Sequence, residues 1–380
     1  MSIVLGLIFT FMANAYANQP KYSIIVDAGS SGSRLHLFKY SEQAMPVISD
    51  IFSEKVSPGL STFADKSQED VNQYLKPLFD HVAQKIKDMQ ADEQTVTVSI
   101  MGTAGMRLVP ENKQKVIYAQ VKHFLTKNYK FQIAKIETIN GKMEGLYGWL
   151  DINYLAQTFQ TQAPTFGSID MGGASTQIVF ETKDNTHPED LITLNINGRP
   201  YTVFSKSFLG LGLDQSREVM NKQPAANACY PIGYKLSNSM GNFNSATCKS
   251  FYTKVIAEKD IPKQLAPIGN QKFMAYSGIF YTYRILDALS AEKPLVEKQI
   301  QSYCAEKDWN WWLQKYPSES VTFLPNYCAN GIYLSHLVYD TYQIKTGALQ
   351  VVENINKQAI DWTLGALLHQ LMEKQSSKTA

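Results

Sequence analysis

Residues Tyr22 to Tyr40, YSIIVDAGSSGSRLHLFKY, form the stretch of sequence that decides the fold. An apolar run ends at Asp27, a loop of small polar residues follows, and an alternating run begins after Arg34. Two short β-type runs joined by Gly and Ser predict a hairpin. Gly29 and Gly32 allow the backbone to approach a ligand closely, and the loop N–H groups can form a nest for an anion. An ordinary Ser-rich turn explains this one segment equally well.

A second stretch of the same design lies far downstream, at Ser168 to Glu181, SIDMGGASTQIVFE. An apolar run again ends in an aspartate, Asp170, and a loop of Gly, Ser and Thr again leads into a β-type run. Repetition of a motif within one chain is typical of a duplicated fold. The repeat therefore favours two phosphate-facing hairpins over two unrelated turns.

Length and composition describe a globular protein with room for two domains, since the chain has 380 residues and 44% of them are hydrophobic. The net charge is only +2 and no basic tract occurs, so nothing favours binding to nucleic acid or to an anionic membrane. Residues 69–89 have helical spacing and residues 95–101 form a strand-like run. Such alternation of strands and helices predicts an α/β protein, which we expect to be a monomer.

The first residues, MSIVLGLIFTFMANAYANQP, predict an export signal. Residues 3–11 are a short apolar core, and Ala15-Tyr16-Ala17 is a small-x-small cleavage site. The apolar core is too short to span a bilayer, and a retained anchor or a buried helix is the alternative. We expect cleavage after Ala17, a secreted or periplasmic mature protein and no stable membrane span.

The four cysteines of an exported chain predict disulfide bonds. Three pairings are possible, and we favour the nearest neighbours, Cys229 with Cys248 and Cys304 with Cys328. Each bond would close a modest loop and stabilise the fold by about 3 kcal/mol if the effect is one of chain entropy. A zinc site is the alternative, but it lacks Cys-x-x-Cys spacing and neighbouring histidines. The mature protein is therefore expected to have no free thiol.

Polar side chains follow the ends of several predicted strands, where ligands bind in α/β sheets. Asp27 and Asp170 suit a hard divalent cation that keeps part of its water shell. Glu144, at the start of a predicted helix, is then the spare carboxylate and the candidate general base. A first-turn acid favoured by the helix dipole explains Glu144 slightly better on spacing alone. For Asp170 the functional interpretation leads, because this residue repeats Asp27.

Five segments of the chain resemble, in order, the motifs of the apyrases, the nucleoside triphosphate diphosphohydrolases of the actin-like phosphotransferase superfamily. The first four are highly specific together, whereas the last means little alone. The segments are DAGSSGSR at Asp27–Arg34, GTAGMR at Gly102–Arg107, EGLYGW at Glu144–Trp149, DMGGASTQ at Asp170–Gln177 and WTLG at Trp362–Gly365.

The resemblance covers almost the whole mature chain, and it implies the architecture. The expected fold is α/β, with two actin-like (ribonuclease H-like) lobes and a nucleotide cleft between them. Lobe I would comprise residues 18–157 and about 360–380, and lobe II would comprise residues 158–359.

The resemblance also implies roles for individual residues. Glu144 would be the general base, and Ser175 and Gln177 would hold the attacking water. The cation, Mg²⁺, Ca²⁺ or Mn²⁺, would be held mostly through water by Asp27, Thr103, Glu144, Asp170 and Trp362. The phosphates would be bound by Gly29, Ser30, Ser31, Gly32, Arg34, Thr103, Ala104, Gly172, Gly173 and Ala174. Tyr339 and Tyr342 are candidates for holding the nucleotide base, although core packing explains them equally well.

The leading hypothesis is a hydrolase that converts nucleoside tri- and diphosphates to nucleoside monophosphate and phosphate. A water activated by Glu144 would attack with the help of a metal ion. An exopolyphosphatase-like hydrolase is one alternative, because such enzymes also begin with an Asp-x-Gly-Ser hairpin. A non-catalytic actin-like nucleotide-binding module is another, and the predicted export counts against it. The segment Glu144–Trp149 counts against both alternatives.

Overall fold

The computed structural model describes residues 20–379. The predicted export signal, residues 1–17, lies outside them. By its internal contacts the chain divides into two compact units. The first unit runs up to Asn140 and resumes at Thr363, and the second comprises Gly141–Trp362.

Strands and helices alternate along both units. The strands are β1 (Lys21–Ala28), β2 (Ser33–Ser41), β3 (Val47–Val56), β4 (Thr97–Gly102), β5 (Gln132–Thr138), β6 (Gly167–Met171), β7 (Ser175–Glu181), β8 (Leu191–Ile196), β9 (Arg199–Leu209), β10 (Phe273–Ser277), β11 (Leu349–Val351), β12 (Asn354–Ile355) and β13 (Gln358–Ala359). The α-helices are α1 (Gln68–Asp88), α2 (Ala104–Arg107), α3 (Glu111–Asn128), α4 (Gly141–Leu155), α5 (Thr158–Thr161), α6 (Leu213–Asn221), α7 (Ser245–Ala257), α8 (Gly278–Ile285), α9 (Lys293–Cys304), α10 (Trp309–Lys315), α11 (Tyr327–Ser335) and α12 (Trp362–Thr379), and a π-helix spans His336–Thr341.

The first unit is built on a five-stranded sheet with the order β3-β2-β1-β4-β5. The predicted hairpin is confirmed as β1 and β2, which pair antiparallel, while β4 lies parallel to β1 on its other side. Helix α1 begins at a capping box in which Ser67 and Asp70 bond each other reciprocally. Its apolar face, which includes Val71, Leu75 and Leu78, is fully buried in the core of this unit. Helical periodicity thus predicted this element to within a residue at each end.

The second unit repeats this design in a six-stranded sheet with the order β11-β10-β6-β7-β9-β8. Strands β6 and β7 form the second antiparallel hairpin, and β10 lies parallel to β6. In both units an Asp-Gly loop therefore joins the two strands of a hairpin whose first strand has a parallel neighbour. The predicted α/β class and the internal repeat are both confirmed.

Helix α4 belongs to the second unit, where it packs against β6, β7 and β9. Two glycines allow this close approach, because a Cβ at Gly145 would lie 2.8 Å from the Ser205 hydroxyl and one at Gly148 would lie 2.2 Å from the Tyr276 hydroxyl. The lobe boundary predicted after residue 157 therefore differs from the observed division by the length of this helix.

Both predicted disulfides are confirmed, and both lie in the second unit. Cys229 and Cys248 are joined at 1.97 Å, and Cys304 and Cys328 at 2.10 Å. All four sulfur-bearing residues are fully buried within one hydrophobic core. No helix of the described residues is long and apolar enough to cross a membrane.

Candidate active site

The first Asp-Gly loop is held in place from two sides within its own unit. A Cβ at Gly59 would lie 2.4 Å from the Ser30 carbonyl oxygen, and one at Gly105 would lie 2.7 Å from the Ser30 Cα. The hydroxyl of Tyr74 donates to Ser33 Oγ at 2.8 Å. Within the described chain, none of the N–H groups from Gly29 to Gly32 pairs with a backbone carbonyl. A fixed loop whose N–H groups lack backbone acceptors is suited to an anion such as phosphate.

Charged and hydroxyl groups surround this loop. Asp27 and Arg34 are directly opposite each other in the β1–β2 ladder, so their side chains lie on the same face of the sheet. Thr103 Oγ1 donates to Asp27 Oδ1 at 3.5 Å, which brings the end of β4 to the loop. The Lys55 side chain lies against the loop, because a Cβ at Gly32 would be 2.6 Å from Lys55 Cε. No local sequence pattern points to Lys55, because β3 reaches this loop only by pairing with β2.

The second Asp-Gly loop is fixed by the backbone that follows β9. The N–H groups of Gly210, Leu213 and Asp214 donate to the carbonyl oxygens of the loop at distances of 2.8–2.9 Å. These bonds use the loop carbonyls, whereas the N–H groups of Gly173 and Ala174 have no backbone acceptor within residues 20–379. The second loop therefore also presents donors suited to phosphate oxygens.

Glu144 lies in the first turn of α4 and is only 7% exposed. The Ser205 hydroxyl donates to the Lys142 carbonyl oxygen at 2.7 Å and so fixes this turn against β9. A Cβ at Gly145 would lie 3.3 Å from the Gln177 Cβ, which shows how closely the turn approaches β7. The helix thus holds a buried carboxylate next to the strand that carries Gln177.

Gln177 and Ser175 are linked by a hydrogen bond on β7. The Gln177 amide donates to Ser175 Oγ at 2.8 Å and to Ser207 Oγ at 2.9 Å. Both amide N–H groups are therefore used, and the amide oxygen can accept a hydrogen bond from a water molecule. The pair is buried, with exposures of 2% each.

Asp170, at the end of β6, is a buried carboxylate with an incomplete set of partners. Its Oδ1 atom has no hydrogen-bond partner among the described residues. Burial raises the pKa of Asp170 to about 7, and the nearby carboxylates of Glu144 and Asp361 add to this effect. The Ser277 hydroxyl opposes it by acting on the carboxylate as a hydrogen-bond donor. A buried carboxylate of this kind requires an added positive charge or a proton.

The residues around Asp170 therefore fit a divalent cation. Its orphaned oxygen is a hard ligand, as Mg²⁺ and Ca²⁺ prefer, and a cation would offset the repulsion from Glu144. In the first unit, Asp27 and Thr103 supply a carboxylate and a hydroxyl of the same type. Trp362 differs, because an indole offers only an N–H donor and its ring is stacked on Tyr147 with centroids 6.1 Å apart.

A second group of acidic residues, around His187, does not fit a cation as well. His187, Glu189 and Asp190 offer ligand atoms within 4.8 Å of one another. Asp190, however, already forms an ion pair with Lys206 Nζ at 2.6 Å. The cation site is therefore better sought at Asp170.

Two further carboxylates near Asp170 were not predicted from the sequence. Asp151 is fully buried on α4, and its Oδ2 accepts the Asp361 N–H at 2.9 Å. Tyr276, opposite Asp170 in the β6–β10 ladder, lies among the same carboxylates. Burial raises the pKa of Tyr276 well above its ordinary value, and Asp170 and Asp151 raise it further. Periodicity could not reveal this cluster, because its members come from four separate segments.

Tyr339 and Tyr342, the candidates for base binding, lie in the hydrophobic core of the second unit. They are 7% and 2% exposed, and the Tyr339 hydroxyl donates to the Ala291 carbonyl oxygen at 2.8 Å. Core packing, which was the alternative to base binding for these two tyrosines, accounts for the positions of both rings.

Comparison with known proteins assigns the chain to a family. Residues 13–263 and 258–379 match the GDA1/CD39 (nucleoside phosphatase) family. The chain belongs to this family. The resemblance to the apyrases is thereby confirmed, as is the prediction of an enzyme of this type.

Curated relatives agree with this assignment. The Golgi apyrase of Saccharomyces cerevisiae is 28% identical, over 92% of this chain and 70% of its own length. Ectonucleoside triphosphate diphosphohydrolase 2 of Gallus gallus is 26% identical, over 97% of this chain and 87% of its own length. A guanosine-diphosphatase of Schizosaccharomyces pombe is 34% identical, but only over 55% of this chain and 39% of its own length.

Solved structures support the fold. A nucleoside triphosphate hydrolase of Neospora caninum has a TM-score of 0.69 at 14% identity, covering 98% of this chain and 97% of that one. A Ppx/GppA family member of Aquifex aeolicus has a TM-score of 0.59 at 16% identity, covering 94% and 99%. These likenesses confirm the predicted fold class of two actin-like lobes.

Proposed function

We propose that this protein hydrolyses nucleoside tri- and diphosphates to nucleoside monophosphate and phosphate. The observation that carries the proposal is the buried group Glu144, Asp170, Ser175 and Gln177, held on adjacent elements of the second unit. It combines a candidate base, a candidate cation ligand and a candidate holder of water. The names of the curated relatives, which include an apyrase and a guanosine-diphosphatase, support the same chemistry.

Glu144 acts as general base in this proposal. Its carboxylate is buried in the turn that faces β7, where Gln177 is held by two hydrogen bonds. Gln177 offers its amide oxygen and Ser175 its hydroxyl to orient the attacking water. Glu144 accepts a proton from that water as it attacks the terminal phosphorus, and the bond to the leaving phosphate breaks. Positioned bases of this kind contribute about 10²–10⁴-fold to the rate.

The two Asp-Gly loops supply the donors for phosphate oxygens. In each unit the loop is fixed by neighbouring residues. The N–H groups of residues 29–32 and of Gly173 and Ala174 lack backbone acceptors within residues 20–379, whereas the Gly172 N–H donates to the Ser175 carbonyl oxygen at 3.0 Å. Arg34 and the newly found Lys55 add positive charge at the first loop. Fixed donors cost no reorganisation when negative charge develops on the phosphate, and this favours the transition state.

In the second unit, Asp170 would hold a divalent cation, mostly through water, and in the first unit Asp27 with Thr103 offer ligands of the same type. When bound, the cation polarises the phosphoryl group and neutralises its charge. Mg²⁺ and Ca²⁺ both suit carboxylate and hydroxyl ligands, and Mn²⁺ has similar preferences. Trp362 would contribute by packing on Tyr147 rather than as a ligand.

The nucleotide base requires an exposed ring, which the buried Tyr339 cannot supply. Tyr281 is 42% exposed and lies on α8, one helical turn beyond Ser277. The Arg284 guanidinium lies 5.9 Å from the centroid of its ring. We assign base stacking to Tyr281 on these grounds, and Tyr281→Ala should raise KM while changing kcat little.

We also propose that the mature protein acts outside the cytoplasm, secreted or in a periplasm, as a monomer. The predicted signal ending at Ala17 and two buried disulfides support an oxidising compartment. N-terminal sequencing of the exported protein checks the cleavage site. Size-exclusion chromatography with light scattering checks the oligomeric state.

Phosphate release from ATP, ADP, GDP and polyphosphate, each with and without EDTA, tests the proposed activity. We expect release from all three nucleotides, with the monophosphate as the end product, and loss of release in EDTA. Release from polyphosphate but not from ADP would favour the exopolyphosphatase alternative, which the likeness to a Ppx/GppA structure makes a specific competitor. Nucleotide binding without any release would favour the non-catalytic module.

A further inference from the structure

The turn between β10 and α8 holds a strained residue next to the candidate cation ligand. Ser277 has φ 56° and ψ −126°, a combination that side-chain-bearing residues rarely adopt. Strain of this kind persists only where the surrounding structure enforces it, and it is concentrated at functional sites. Glycine would adopt the same conformation without strain, so the strain at this position comes from the side chain of Ser277.

Neighbouring residues fix the position of this turn. Ser277 is opposite Met171 in the parallel β6–β10 ladder, and Tyr276 is opposite Asp170. The following residue must be glycine, because a Cβ at Gly278 would lie 2.8 Å from the Met171 carbonyl oxygen. The turn is therefore pressed against the end of β6, at the residue where the second Asp-Gly loop begins.

The Ser277 side chain meets the carboxylate of Asp170. Its hydroxyl acts as a hydrogen-bond donor to this group, while the Oδ1 atom of the same carboxylate has no partner among the described residues. The Met171 backbone N–H is a second donor to this carboxylate. Donors on one side of a buried carboxylate fix its orientation and leave Oδ1 for a ligand. Second partners of this kind commonly orient the groups that bind metal ions.

We propose that Ser277 is a positioning residue for Asp170, held in a strained backbone conformation so that its hydroxyl reaches that carboxylate. The inference deepens the proposed function and rests on it. Ser277 does not touch the substrate in this scheme; it aims the free oxygen of Asp170 at the cation. Its removal should therefore lower kcat and weaken cation binding without changing KM appreciably.

Two substitutions separate the hydroxyl from the strain. Ser277→Ala removes the hydroxyl and keeps a side chain at positive φ, whereas Ser277→Gly removes the hydroxyl and relieves the strain. We expect kcat to fall about tenfold in both, since a hydrogen bond to a charged group is involved. We expect the Tm to rise by about 2–4 °C in Ser277→Gly alone. In both variants, the rise in Tm on adding Ca²⁺ should be smaller than in the wild type.

Gln343→Gly is the matched control. Gln343 also has a positive φ, 57°, but it is exposed and lies after the π-helix of the same unit. Relief of strain there should raise the Tm and leave kcat unchanged. This outcome would show that relief of strain alone does not reduce activity.

Full kcat in either Ser277 variant would overturn the proposal, as would a Tm of Ser277→Gly no higher than that of Ser277→Ala. A wild-type protein that releases no phosphate from any nucleotide refutes the proposed function separately. In that case the Tm comparison and the shift on adding Ca²⁺ still decide whether Ser277 is strained in order to hold Asp170.

Discussion

Replacing Asp170 by asparagine should produce an inactive protein that is more stable than the wild type when no cation is present. The charge of Asp170 is the reason. Its pKa is raised from 3.8 to about 7, mainly by burial, so ionisation at a pH well above 7 costs the folded state about 4 kcal/mol. An asparagine has no charge to bury. Its amide would instead place donors where Oδ1 has no partner, at a cost of about 1–3 kcal/mol. The net stabilisation is therefore about 1–3 kcal/mol.

The effect should depend on pH in a defined direction. Because the folded pKa of Asp170 is raised, the contribution of this group to stability is complete below about pH 4 and is lost as the pH rises through about 7. Asp170→Asn should thus be more stable than the wild type at pH 8.5 and lose this advantage at pH 5. For a domain of roughly 200 residues the difference at pH 8.5 amounts to several degrees in Tm.

Thermal unfolding in EDTA at the two pH values is the assay. Asp190→Asn is the control, because Asp190 is ion-paired with Lys206 at 2.6 Å and its loss should lower the Tm at pH 8.5. Added Ca²⁺ should raise the Tm of the wild type and leave Asp170→Asn unchanged. An Asp170→Asn protein that melts at or below the wild-type temperature in EDTA at pH 8.5 would refute the reasoning.

Three further predictions concern other parts of the chain. Glu144→Gln should lower kcat by about 10²-fold or more with an unchanged Tm, as a general base requires; turnover near the wild-type rate in phosphate-release assays would exclude the assigned role. The Cys229–Cys248 bond closes a loop of sequence separation 19, and its reduction should destabilise the second unit by about 3 kcal/mol. Before reduction, a thiol reagent should not react with the protein, even after unfolding. Burial alone would raise the pKa of Asp340, but hydrogen bonds from Lys249, Lys293 and His336 outweigh it and hold this pKa far below its usual range. Asp340→Asn should therefore lower the Tm at pH 7, and the difference from the wild type should shrink as the pH falls below about 4. A difference in Tm that does not change with pH would contradict this.

The hairpins and their loops were predictable because their signals are local. An apolar run, an aspartate and a Gly-rich loop lie within a few residues of one another at both Asp27 and Asp170. The helix α1 was equally readable from its helical periodicity. The same holds for the disulfides, since nearest-neighbour pairing closes the shortest loops.

The remaining features depend on contacts between distant segments. Ser277 looks like any turn residue until β10 is placed beside β6 and its φ is known. Lys55 reaches the first loop only through the pairing of β3 with β2. The burial of Tyr339 could not be predicted, because helical spacing does not show which other segments pack against a given face of a helix. The boundary was placed after residue 157 because the sequence does not show that α4 packs on the sheet of the second unit.

The last helix has a consequence for the order in which the chain can fold. The sheet of the first unit is complete in sequence by Thr138, but the unit regains the chain only at Thr363, within α12. A chain made from its N-terminus presents every residue of the second unit before α12 exists, and domains generally fold as units during synthesis. The first unit is therefore begun first and finished last. Its completion must wait until α12 has been made.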